Sequence, residues 1–139
     1  MNILFLAPAS SIHTVRWVNA LAQKNKVYLV SLPNHKMIDD EIDVRVKINY
    51  LPISGGKGYY LNGNALKKLS KQLNPDIVNV HYASGYGTLA RIAHFPNIIL
   101  SVWGSDVYDF PYRNRINMYI IKKNLLYAKH IVSTSEAMK

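Results

Sequence analysis

The sequence predicts an α/β fold: a Rossmann-like three-layer sandwich around a mostly parallel, doubly wound sheet of about six strands. Two observations carry this. Short β-branched and apolar runs alternate with stretches of helical periodicity, and the runs are apolar enough to be covered on both faces. A third supports it: polar, glycine-rich or histidine-bearing segments fall just after the strands, where an open parallel sheet binds its ligands. Residues 1–139 read as one domain, with no repeat, low-complexity tract or interdomain linker.

The strands are expected at Asn2–Ala7, Lys26–Ser31, Val44–Tyr50, Asp76–His81, Asn97–Val102 and His130–Ser133. The first should be central and parallel to the fourth. Ile12–Asn25 sets Val15, Val18 and Ala22 on one face, with Arg16, Gln23 and Lys24 opposite. Asn64–Leu73 places Leu66, Leu69 and Leu73 on one stripe. A shorter helix is expected over Gly85–His94. Tyr112–Lys129 carries Met118, Ile121, Leu125 and Ala128 at core spacing, with Lys122 and Lys123 outward. The connection Leu32–Asp43 is polar, holds the acidic cluster and shows no helical stripe. Gly55-Gly56-Lys57-Gly58 reads as a mobile surface loop, with the next helix starting near Asn64.

Composition narrows the chemistry. Without cysteine there are no disulfides or thiolate metal sites, and a reducing cytoplasm suits the chain. No apolar run approaches the roughly 20 residues of a membrane span. Met1–Ala9 has no basic residues before it and reads as a first strand, not a signal peptide. The net charge is +9, and all of the excess lies beyond Asp43, because residues 1–43 carry four basic and four acidic residues. Such asymmetry points either to an anionic partner or to a solvated face of lysines. A nucleic-acid-binding module is one reading of that charge and the ten tyrosines, but the basic residues are scattered, without an aromatic-basic strand motif. A non-catalytic nucleotide or small-molecule domain is another.

Four loops should share the ligand edge. After the first strand come Ser10, Ser11 and His13, at a helix N-terminus that can hold a phosphate or sugar hydroxyl, or where a serine simply caps the helix. The absence of G-x-G-x-x-G and of G-x-x-x-x-G-K-[ST] removes dinucleotide binding and P-loop chemistry at that turn. After the fourth strand, His81 leads into Tyr82 and a Ser/Gly loop; such a histidine can be functional or a satisfied core residue. The fifth strand runs into Trp103, Gly104, Ser105 and Asp106, whose carboxylate can cap a turn or accept from sugar hydroxyls. The sixth ends in Ser133-Thr134-Ser135-Glu136. Tyr59 and Tyr60 could stack on a sugar or lipid acceptor. There is no H-E-x-x-H and no carboxylate pair at ligand spacing, so neither metal nor other cofactor is expected.

These loops also carry a family likeness. Met1–Ala9 followed by Ser10–Trp17 resembles the opening of many bacterial family-four glycosyltransferases. Asp76–Tyr82 resembles their D-I-V-H-x-H strand, and Ser101–Asp106 and Ala128–Met138 are similar to two later landmarks. The likeness implies the acceptor-side half of a retaining, metal-independent GT-B enzyme whose donor-binding C-terminal half lies outside residues 1–139. It implies His81 as the catalytic histidine facing the reacting sugar and its phosphate. Ser10, Ser11, His13, Gly104 and Ser105 would then contact the donor, and Asp106, Tyr82, Lys57 and Tyr59 the acceptor. Ser10-Ser11 stand where relatives often have two glycines, and Asn79 where they have a first histidine. The implied partners are a nucleotide-sugar shared with the other half and a saccharide or lipid-linked acceptor, with no nucleic acid. The basic excess then suits the cytoplasmic leaflet of a membrane.

Overall fold

A computed structural model of the chain describes residues 1–37 and 41–133. Asp39 and Asp40 of the acidic cluster, and the landmark residues from Thr134 on, lie outside the described residues. The strands are β1 (Asn2–Leu6), β2 (Lys26–Ser31), β3 (Lys47–Tyr50), β4 (Ile77–His81), β5 (Ile99–Val102) and β6 (His130–Ser133). The helices are α1 (Ile12–Ala22), α2 (Gly58–Leu61), α3 (Gly63–Leu73), α4 (Gly85–Ile92), α5 (Ser105–Tyr108) and α6 (Arg115–Tyr127). Short 3₁₀ turns occupy Pro33–His35 and Phe110–Tyr112.

The strands form one sheet in the order β3-β2-β1-β4-β5-β6, and every pairing is parallel. The chain therefore winds outward in one direction from β1 and in the other from β4. The adjacent β1 and β4 ends mark the switch point, where the two sets of connections diverge and leave a crevice.

Alternation along the strands divides the core in two. Leu4, Leu6, Val30, Val78, Val80, Leu100 and Val102 share a cluster with Leu66, Leu89 and Ile121 of α3, α4 and α6. Ile3, Phe5, Val27 and Leu29 turn the other way, onto Val15, Val18 and Ala22 of α1. Burial on both faces holds for β1 and β2. It does not hold further out. β3 and β6 are sheet edges with exposed residues, and β4 and β5 carry Asn79 and Ser101, hydrogen-bonded to each other at 3.0 Å.

The Gly55–Gly58 segment corrects the expectation of a mobile loop. Gly55 N–H donates to Asn34 Oδ1 at 2.8 Å, and the buried side chain of Asn62 grips the Ile53 backbone through both its amide atoms. These bonds shape the chain into α2, a turn too short to show a periodic stripe. Gly58 is buried, and a Cβ there would stand 2.4 Å from the Ile53 carbonyl oxygen, so only glycine fits. Gly58→Ala should therefore lower stability by about 1–3 kcal/mol, while Gly56→Ala, which meets nothing within 4 Å, should stay within about 0.5 kcal/mol. Urea unfolding of the two variants checks this; equal effects would show that the close packing around Gly58 is not required.

Candidate functional site

A cavity of about 370 Å³ opens at the switch point, lined by Pro8, Ser10 and Ser11 after β1 and by Tyr82, Ser84, Gly85 and Tyr86 after β4. His35 and Tyr59 close its remaining side. Two helix N-termini meet there: Ser11 is the N-cap of α1 and Ser84 of α4. Neither serine side chain makes a capping hydrogen bond, and neither helix has an acid in its first turn. Each terminus carries about half a positive charge on its unpaired N–H groups. Two such ends beside the hydroxyls of Ser10, Ser11 and Ser84 suit an anionic oxygen-rich ligand.

The floor of this cavity is rigid. Tyr86 is buried, and its hydroxyl accepts from Leu32 N–H at 3.1 Å and lies 2.6 Å from His35 Nδ1 and 3.3 Å from Ser31 Oγ. Ser31 Oγ accepts in turn from Ala9 N–H at 3.1 Å, tying the β1 loop to β2. Burial raises the Tyr86 phenol and lowers His35, so both are held neutral. A second cavity of about 290 Å³ lies alongside, lined by Gly56, Tyr59, Tyr60, Ser84, Gly85, Thr88 and Phe110. Tyr59 is common to both.

Two side chains fix the loops. The Asp106 carboxylate is buried and accepts from the N–H groups of Ala83 (2.7 Å), Trp103 (3.0 Å) and Gly104 (2.9 Å). It joins the β4 loop to the β5 loop with both oxygens bonded to backbone, and it lines neither of the two cavities. Asn124 reaches the same loop from α6. Its amide donates to the Ala83 and Ser84 carbonyls and to Thr88 Oγ1, while its oxygen accepts from Arg91 Nε at 2.8 Å. Held from both sides, Tyr82 adopts φ 73°, a left-handed conformation that a bulky residue takes only under such constraint. Its ring packs on Trp103 with centroids 4.4 Å apart.

His81, which the family likeness implies faces the reacting sugar, is closed off from solvent. It is 1% exposed, on the α1 side of the sheet, between Phe5 and Trp103 with ring centroids at 5.4 and 5.1 Å. Trp103 also packs on His13, at 4.9 Å. Nδ1 of His81 is buried with no hydrogen-bond partner among the described residues. Burial, and then the nearby His13, lower its pKa to about 4.

Of the residues singled out from sequence, Ser10, Ser11, Tyr82 and Tyr59 come together around the first cavity. His81 and His13 both pack against Trp103, which in turn packs on Tyr82. Gly104 and Ser105 line neither cavity, and Lys57 is exposed at the start of α2. Sequence reasoning passed over Asn124, Tyr86 and His35. Asn124 lies on the inward side of the α6 stripe, between Ile121 and Leu125, and that position was its one available signal. Among the described residues no group of three His, Asp or Glu is placed to hold a metal ion, and no helix is long and apolar enough to cross a membrane.

Two outcomes follow. Asp106→Ala should lower stability by about 2–4 kcal/mol by orphaning three N–H groups, two of them in the β5 loop; a loss below 1 kcal/mol in urea unfolding would contradict the role of the carboxylate. For His81, the unfolded ring binds a proton near pH 6.5 and the folded one only near 4. Stability is therefore complete above the unfolded value and falls as the pH drops through that window, with a slope approaching about 1.4 kcal/mol per pH unit. His81→Gln should flatten that slope. Unfolding curves across the window that are parallel for wild type and variant would contradict it.

The comparisons with known proteins bear on this geometry. A family model described as "Glycosyl transferase 4-like" matches residues 2–135. A solved structure of MurG from Acinetobacter baumannii superposes with a TM-score of 0.64 at 15% identity, covering 96% of this chain and 41% of that one. The chain thus spans well under half the length of that protein, and the likeness speaks to fold. No curated protein matches. With a six-stranded Rossmann-like sheet and a family match across nearly its whole length, the chain belongs to the glycosyl transferase 4-like family.

Proposed function

We propose that this chain is the acceptor-side half of a retaining GT-B glycosyltransferase, which moves a sugar from a nucleotide-sugar to a saccharide or lipid-linked acceptor. The observation that carries the reading is the cavity where two acid-free helix N-termini and three serines converge at the switch point. The donor's phosphates would meet Ser10, Ser11 and the α1 terminus, with most donor contacts coming from a second domain beyond these residues. The acceptor would lie against Tyr59 and Tyr82, toward the neighbouring aromatic cavity. The basic excess beyond Asp43 adds an anionic surface, the cytoplasmic face of a membrane, to the partners.

His81 fits this scheme as a neutral hydrogen-bonding group and not as a proton shuttle, since its imidazolium is disfavoured near neutral pH. A ligand would reach it only when the indole of Trp103 turns aside. Its unpaired Nδ1 is a reason for such an exchange: a buried polar atom without a partner gains a bond when a ligand oxygen arrives. In the full-length enzyme, His81→Ala should lower kcat about a hundredfold per folded molecule, the scale of one lost transition-state contact. The 139-residue chain alone should show no transfer and should bind nucleotide-sugars more weakly than micromolar. Normal activity of the full-length variant would remove His81 from the mechanism; turnover or micromolar binding by this chain would overturn the division between two halves.

A further inference from the structure

Helix α6 has two apolar sides, and the core uses one. Ile121 and Asn124 are buried, with Met118 and Leu125 partly covered beside them. At 100° per residue, Ile116, Tyr119, Lys123 and Leu126 fall on the opposite side. There Ile116 is 71% exposed, Tyr119 60% and Leu126 82%, and Tyr112, in the 3₁₀ turn before the helix, is 74% exposed. Lys123 Nζ lies over the Tyr119 ring, 5.4 Å from its centroid. Arg115 and Lys122 flank the stripe, exposed and without an acidic partner among the described residues. Residues 110–135 contain five Lys and Arg and no acid.

We infer that this outer side of α6 docks on the surface of an anionic membrane. The inference deepens the anionic-surface reading above and is independent of the transfer chemistry. Aliphatic Ile116 and Leu126 would enter the acyl boundary, the tyrosines would sit at headgroup level, and Arg115, Lys122 and Lys123 would reach lipid phosphates. Charge selects this occupant. An acid-free, basic-flanked stripe has nothing to pair with in a second copy of itself, whereas anionic headgroups meet every cation along it.

Flotation of the chain with vesicles of phosphatidylcholine, alone or mixed with phosphatidylglycerol, tests the assignment. Binding should require the anionic lipid and weaken with salt. Lys122→Glu with Lys123→Glu should reduce partitioning more than tenfold, since each basic residue near the surface contributes about fivefold. Lys67→Glu with Lys68→Glu on α3 changes the net charge equally and should have an effect of less than about threefold. Ile116→Ser with Leu126→Ser should reduce binding about tenfold or more, and Val44→Ser, at a position 99% exposed elsewhere, should not. Equal losses from the two lysine pairs would leave diffuse charge and overturn the α6 face. So would unchanged binding of the serine variant, or a dimer of the wild-type chain that this variant makes monomeric. Equal flotation with both vesicle types would overturn the anionic-surface reading itself, while leaving the transfer reading to its own assay.

Discussion

Parallel pairing of β1 with β4 is the constraint on which the rest of the molecule depends. Because the chain leaves these two neighbours in opposite directions, α1 and α4 begin on either side of one gap. Their N-termini then point at a common volume, whatever the surrounding side chains are. The sequence fills that volume with three serines and three tyrosines and keeps acids out of both first turns. A positive, hydroxyl-rich recess is the result, and it needs no lysine or arginine to be attractive to phosphate.

The recess keeps its shape because buried polar groups restrain the loops around it. Asp106 holds the β4 and β5 loops together through three N–H groups, and Asn124 holds the β4 loop to α6 and α4. Tyr86 and Ser31 do the same between the loops of β1 and β2. Each is a buried polar side chain with its partners in place, the condition under which such groups specify one arrangement. His81 and Thr14 are exceptions, each with a buried atom that has no partner among the described residues. His81 sits at the centre of this well-bonded region with an unpaired Nδ1, its ring packed edge-on against Trp103, and a lapse in polar satisfaction of this kind is an exception to the rule that buried polar groups find partners.

The fold was legible in the sequence because periodicity and burial agree in its central parts. β2 and β6 have the expected bounds, and α3 and α4 begin within one residue of theirs. Elsewhere ends were trimmed: the third strand begins at Lys47 and not Val44, because Val44 and Arg45 turn outward where Asp43 pairs with Arg45. The ligand edge was legible too, since the loops after β1 and β4 carry the small and polar residues that a recess needs. What was not legible depends on contacts between distant residues. Nothing near Asp106 in sequence announces that Ala83 will donate to it. The exposure of His81 could not be read without knowing that Trp103 and His13 would close over it. The α2 turn escaped notice because four residues hold no period, and it exists through the grip of Asn62 on Ile53.

The central claim is that the gap between the β1 and β4 loops is a site for a phosphate-bearing ligand. Amide chemical shifts of the isotopically labelled chain, followed while inorganic pyrophosphate is added, address it most directly. The account predicts that the shifts concentrate at Ser10–His13 and Ser84–Tyr86, the two helix starts that line the gap. Shifts confined to the opposite sheet edge, around the cavity formed by Lys71, Asn74 and Asn97, or spread evenly over exposed lysines, would contradict it.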